Sequence, residues 1–267
     1  MRSDRKVLLL NADDFGIYPS ANQAVINSID HDLAASCSLM VPSPGAPEAL
    51  RILADRSDIA FGIHLTLVAD FPTQRWKPLT GGRSLLDSSG QLFTPHEKDG
   101  LLASARIEEV EAEFRAQIEV ALEAGLSPTH LDWHCLADGG RGDVFDLTLA
   151  LADEYGLAVR AWLEPAQRKI RARSLPVVDH GFLDSFSIEL EDKALRYARL
   201  LRGLPRGLTE WAVHPAYEHA LDSGSRIRRS DYDFLVSAEA REIIEEEEIS
   251  VIGWSAMAQQ WLGHHAN

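Results

Sequence analysis

The sequence predicts an α/β fold built on a parallel sheet with crossover helices. Short apolar runs alternate with longer helical patterns along the whole chain, and about seven such runs occur. Polar residues of unusual type gather at the ends of those runs. An open doubly wound sheet and a closed (β/α) barrel both satisfy this alternation.

Taken in order, Lys6–Asn11 reads as a strand and Ser20–His31 as the helix after it. Ala34–Val41 is strand-like, and Ala46–Arg56 is helical after the Pro/Gly punctuation of PSPGAP. Ile59–Leu65 is a third strand. Residues 66–104, rich in Gly, Pro and Ser, read as a long irregular insertion. Ile107–Ala124 is an amphipathic helix closed by Gly125 and Pro128. Thr129–His134, Leu157–Trp162, Thr209–His214 and Ser250–Trp254 complete the strands. Val144–Tyr155, Glu191–Leu201 and Ser237–Glu247 are helical, and 163–188 is ambiguous. With no internal repeat and no obvious linker, residues 1–267 read as one domain.

Composition narrows the function classes. The chain carries 26 basic and 41 acidic side chains, a formal charge of −15. Nucleic acid and anionic membrane both demand a cationic surface, so neither is expected as a partner. Two cysteines without CxxC spacing, Cys37 and Cys135, suit a reducing compartment. The apolar run in MRSDRKVLLLNADD is too short for a signal segment, and no stretch approaches the roughly 18 apolar residues of a span. A cytoplasmic protein is expected.

The strand ends carry the chemistry. LLLNADD places Asp13 and Asp14 after an apolar run, and IAFGIHL places His64 near the end of another. In THLDWH, period-two alternation puts His130, Asp132 and His134 on one face. Cys135 falls on the other face and reads as packing. Arg160 ends LAVRAW and is expected to pair with a site carboxylate. In TEWAVHPA, Glu210, Ala212 and His214 share a face, and Pro215 stops the strand. An unpaired buried charge costs several kcal/mol, so five strands doing this call for a compensating ion or network. Carboxylate and imidazoles converging on one sheet edge form a ligand set for a divalent cation with positions left open for water and substrate. A second acid beside such a centre can serve as a base. His31, His96, His180, His219, His264 and His265 read as structural or solvated.

With ADDFG, GIHL, PTHLDWH and AVHPA in this order, the sequence resembles the YdjC-like (ChbG-type) carbohydrate deacetylases, from Asn11 to about Trp254. The resemblance implies a (β/α) barrel, irregular, related to the polysaccharide deacetylases. It implies a metal-dependent hydrolase that removes acetyl groups from N-acetylated sugars such as chitooligosaccharides. Asp14, His64 and His134 would hold one divalent ion, Mg²⁺ or Zn²⁺. Asp13 would be the general base and His214 the general acid, with His130 and Asp132 orienting the ligands. The partner would be a small carbohydrate, and the family suggests a homodimer. Where relatives continue HLDxH with further histidines, this chain has CLADGGRGD, so the loop that would shape the glycan subsite departs from the family pattern. Two other readings of the same residues are another metal-dependent amidohydrolase or phosphoesterase, and a non-catalytic sugar-binding protein.

Overall fold

The structure, a computed structural model, describes residues 4–265, without the side chains of residues 264 and 265. The expectation for His264 and His265 therefore lies outside the described residues. Eight parallel strands form one sheet: β1 (Lys6–Phe15), β2 (Ser36–Leu39), β3 (Phe61–Leu65), β4 (His130–Trp133), β5 (Ala158–Val159), β6 (Leu183–Asp184), β7 (Gly207–Val213) and β8 (Ser250–Ile252). The path runs β5-β4-β3-β2-β1-β7-β6. It curls into a (β/α) barrel whose two end strands, β5 and β6, are not joined by backbone pairing among the described residues. Side chains bridge that seam. Trp162 and Phe182 lie 4.2 Å apart between ring centroids, and the Arg160 guanidinium sits 5.3 Å over Phe182.

β8 lies off this path for a geometric reason. One edge of β1 pairs with β7 from Lys6 to Ala12. Its other edge takes β8 from Val7 to Leu9 and β2 from Asn11 onward. The chain leaving β8 passes so close to the start of β2 that a Cβ on Gly253 would come within 2.2 Å of the Ala35 carbonyl oxygen. Only glycine fits there.

The helices are α1 (Pro19–Asp30), α2 (Ala46–Asp55), α3 (Lys98–Ser104), α4 (Ile107–Glu123), α5 (Gly142–Tyr155), α6 (Glu164–Ala172), α7 (Lys193–Arg202), α8 (Ser225–Leu235), α9 (Ala238–Glu246) and α10 (Trp254–His265). Leu8, Leu10, Ile63, Leu65, Leu131, Trp211 and Val213 from the strands are buried with Val25, Phe114, Ile118, Leu149 and Phe234 from the helices in one apolar core. The opposite strand face, turned into the barrel, carries the polar groups.

Four stretches differ from the sequence expectation, the first being the C-terminal strand, which ends at Ile252 and hands over at Trp254 to α10. The ambiguous 163–188 holds α6 and β6. Helix α8, with the sequence SRIRRSDYDFL, was not anticipated: its charged residues mask its period, yet Arg228, Asp231, Phe234 and Leu235 are buried. The insertion at 66–104 is far from a loose loop. Leu67, Val68, Ala69, Phe71, Trp76, Leu85 and Leu92 are buried. Glu113 of α4 accepts hydrogen bonds from the backbone of Leu79 and Thr80, and Gln117 holds both backbone groups of Thr66. Such buried acceptors fix a segment that lacks its own ladder.

Candidate active site

The site begins with an irregularity in β1. The strand does not stop at Asn11, as expected, but continues to Phe15, and its register with β2 shifts between Ala12 and Phe15. Asp14 takes φ 65°, the left-handed region that aspartate tolerates better than most residues. This bulge ends the period-two alternation, so the carboxylates of Asp13 and Asp14 face different partners. The Gly16 amide donates to Asn22 Oδ1 at 2.8 Å, which holds the turn into α1.

Asp14 Oδ1 lies 3.2 Å from His64 Nε2 and 2.9 Å from His134 Nδ1. Arg228 Nη1 donates to Asp14 Oδ2 at 2.6 Å. Burial opposes ionisation of Asp14, but Arg228 and His134 outweigh it and hold the carboxyl well below the usual carboxylate range. On the far side of each imidazole stands another acid. His64 Nδ1 is 2.8 Å from Asp132 Oδ1, and His134 Nε2 is 2.6 Å from Asp70 Oδ2.

That pattern bears on a metal. A neutral imidazole has one N–H, and here both nitrogens of both rings face carboxylate acceptors. If Asp132 takes the His64 Nδ1–H and Asp70 the His134 Nε2–H, then two imidazole lone pairs and Asp14 Oδ1 converge without a proton between them. A cation satisfies all three, and the ligand atoms of Asp14, His64 and His134 lie within 4.8 Å of one another. Carboxylates behind ligating histidines are the usual orienting arrangement. The donor set therefore fits a divalent ion.

Asp13 faces the other way. Arg160 forks onto it, Nη1 to Oδ2 at 2.7 Å and Nη2 to Oδ1 at 2.9 Å, and Asn11 Nδ2 donates to Oδ1 at 2.7 Å. The same guanidinium reaches Asp132 Oδ2 at 2.9 Å and Glu210 Oε1 at 2.8 Å. One cation thus serves three buried acids. Burial pushes Glu210 up to about 7, against the pull of Arg160. Asp13 Oδ2 is 3.9 Å from His214 Nε2.

His130 lies deeper. Its ring stacks on Trp254 at 4.4 Å, and its Nε2 is 3.3 Å from Ser38 Oγ, which donates to Asp132 Oδ2 at 2.6 Å. Burial lowers its pKa, which disfavours the charged ring. It supports the layer beneath the site without touching the cavity. A Cβ on Gly62 would lie 2.4 Å from this ring, so the position opposite must be glycine.

The cavity above, about 440 Å³, is lined by Asp13, Asp14, His64, His134 and His214. Asp70, Cys135, Trp162, Asp184, Phe186 and Arg228 also line it. Cys135 corrects the packing expectation: it is exposed, φ 58° turns the chain there, and its Sγ lies 3.3 Å from His134 Nε2. The alternation of β4 ends at Trp133, so extrapolating it one turn further misplaced the thiol. Asp70, Asp184, Ser185, Arg228 and Asp231 escaped the sequence reading, because none sits at the end of a strand evident from apolar periodicity.

A model of the YdjC-like protein family matches residues 7–246. The chain belongs to the YdjC-like family. A relative from Thermoanaerobacter pseudethanolicus, named a carbohydrate deacetylase, is 31% identical over 214 residues, covering 79% of this chain and 82% of its own. A solved structure from Enterococcus faecalis V583, assigned to cellobiose-phosphate cleavage, superposes with TM-score 0.79 at 26% identity, covering 94% of this chain and 98% of that one. The peptidoglycan deacetylase of Bacillus subtilis shares the fold, with TM-score 0.51 and 13% identity over 98% of this chain and 95% of its own. Among the described residues of this YdjC-like chain, no helix is long and apolar enough to cross a membrane.

Proposed function

We propose that this YdjC-like protein is a metal-dependent carbohydrate deacetylase. It would hydrolyse the amide of an N-acetylated sugar or short chitooligosaccharide-like substrate and release acetate. The observation that carries this reading is the convergence of Asp14 Oδ1, His64 Nε2 and His134 Nδ1 on one point, each ring backed by its own carboxylate. The names of the related deacetylases support it.

Asp14, His64 and His134 would hold the ion, which when bound supplies Lewis acidity toward the acetamide carbonyl and an attacking water. One carboxylate with two imidazoles suits zinc, and an open, water-rich site also suits magnesium. Asp13 takes the proton of that water on Oδ2, the oxygen turned toward His214. Arg160 and Asn11 fix the carboxylate for this, which spares reorganisation during the reaction. His214 Nε2, 3.9 Å from Asp13 Oδ2, delivers a proton to the departing amine, without which the carbon–nitrogen bond would have to expel an amide anion. Trp162 and Phe186 in the cavity lining offer flat apolar faces for a sugar ring.

The test is a panel of acetylated mono- and oligosaccharides and sugar phosphates, assayed for acetate and for phosphate with Mg²⁺, Mn²⁺, Co²⁺ or Zn²⁺ added. Metal-dependent acetate release is expected. Phosphate release without acetate, or glycan binding without turnover under every metal, would overturn the assignment.

A further inference from the structure

His214 is one of the two groups that face the cavity as proton carriers, and its ring is not free to choose a tautomer. The geometry points to Ser185 and Asp231 as positioning residues that lock His214 in the Nδ1–H form, leaving Nε2 to carry the proton to the leaving amine. This inference rests on the deacetylase reading for its catalytic consequence, though not for the tautomer itself.

Ser185 is wholly buried and begins the short helical turn after β6. Its Oγ lies 2.8 Å from His214 Nδ1 and donates to Asp231 Oδ2. Asp231 is also wholly buried and belongs to α8, one turn from Arg228. A carboxylate can only accept, so the Ser185 hydroxyl proton is committed to Asp231 and its lone pair is turned to the imidazole. His214 Nδ1 must then be the donor. Asp184 Oδ1, at 4.0 Å from Nδ1, is beyond hydrogen-bond reach and does not compete.

Asp231 also fixes the backbone of the same residue, accepting from the His214 amide at 2.9 Å through Oδ2. Its other oxygen accepts from Tyr197 Oη and lies 3.0 Å from Lys193 Nζ, so every group that faces this carboxylate is a donor. Phe186 packs edge-on to the imidazole at 4.7 Å and limits its rotation. One carboxylate therefore sets the main-chain position, ring orientation and tautomer of His214. Ser185, Asp231, Tyr197 and Lys193 do not line the cavity where substrate would sit.

The decisive measurement is imidazole nitrogen NMR of the full-length protein, with the His214 signals assigned by their loss in His214→Ala. At a pH where the ring is neutral, the wild type should show Nδ1–H. Ser185→Ala should shift the population toward Nε2–H, Ser185→Thr should retain Nδ1–H, and Asp231→Asn should move it as Ser185→Ala does. In acetate release, Ser185→Ala should lower kcat about 10- to 100-fold, as removal of an orienting partner commonly does, with KM unchanged. Ser185→Thr should recover most of that loss, and Ser185→Ala should cost nothing further in a His214→Ala background. An Nε2–H tautomer in the wild type, or an unchanged tautomer in Ser185→Ala, overturns the proposal. Should the wild type release no acetate, the deacetylase reading fails while the NMR result still decides the tautomer.

Discussion

Arg228 and Asp14 are 214 positions apart, yet Arg228 Nη1 donates to Asp14 Oδ2 at 2.6 Å, leaving Oδ1 alone to face His64 and His134. The arginine leaves the carboxylate one oxygen toward the imidazoles and neutralises part of its charge. Arg228→Met removes the guanidinium but keeps an apolar stem of similar length. Breaking a buried pair in this way typically costs about 3–5 kcal/mol. Urea unfolding of the metal-free variant should show a loss of that order. Added divalent metal should restore more stability to the variant than to the wild type, because it answers the charge that Arg228 no longer does. An equal metal increment in both would count against this division of labour.

Asp13 is adjacent to Asp14 in sequence, but its carboxylate is held by Arg160 and Asn11 rather than by His64 or His134. Asp13→Asn should therefore leave metal stoichiometry intact while acetate release falls by about 10²- to 10⁴-fold, the range of a lost general base. Metal analysis beside turnover separates the two effects. Unchanged turnover would remove Asp13 from the base role.

The proposed ligand set makes a graded prediction. His64→Ala and His134→Ala each delete a donor, so bound metal should drop sharply in both. Asp70→Asn leaves all three donors but weakens the partner of His134 Nε2, 2.6 Å away. Its metal affinity should fall by about 10- to 100-fold. Calorimetric titration with zinc or cobalt measures the order, and full occupancy in both histidine variants would sink the set.

The strand-end acids and imidazoles were legible because period two and apolar runs locate strand ends without tertiary knowledge. What the period could not give is the bulge at Asp14, where the alternation on which the reading depends breaks down. Asp70 was hidden in an insertion whose order comes from Glu113 and Gln117 on α4, contacts made across the fold rather than along the chain. Arg228 and Asp231 lie on a helix with too few apolar residues to announce its buried face. Their pairing partners, Asp14 and Ser185, come from distant segments, so the compensating charges were invisible until the chain was folded.

Beneath the site, Gly62 is held to glycine by the His130 ring. A Cβ there would sit within 2.4–2.5 Å of three ring atoms, and the ring cannot retreat because it is stacked on Trp254. Gly62→Ala should destabilise by about 1–3 kcal/mol, the usual cost of overpacking. Gly62→Ala combined with His130→Ala should recover part of it, since the obstruction is then gone. Denaturant midpoints of the two variants make the comparison, and no recovery would show that the strain lies elsewhere.

Glu210 supplies a pH dependence with a definite sign. Its carboxyl accepts from Arg160 Nε and Trp254 Nε1 through Oε1, and burial pushes it up to about 7 from an ordinary value of 4.5. Between those values the folded state holds a proton that the unfolded state has released. Stability from this group is therefore fully present below pH 4.5 and lost as pH rises through about 7. The shift corresponds to about 3 kcal/mol. Glu210→Gln keeps the Oε1 acceptor and imitates the protonated acid, so it should match the wild type near pH 4.5 and exceed it by up to that amount near pH 8. Unfolding free energies of both proteins across this interval, in one fixed metal state, test the difference. A gap that does not widen with pH would mean that Arg160 keeps Glu210 ionised throughout, and the one guanidinium would then be balancing three charged acids.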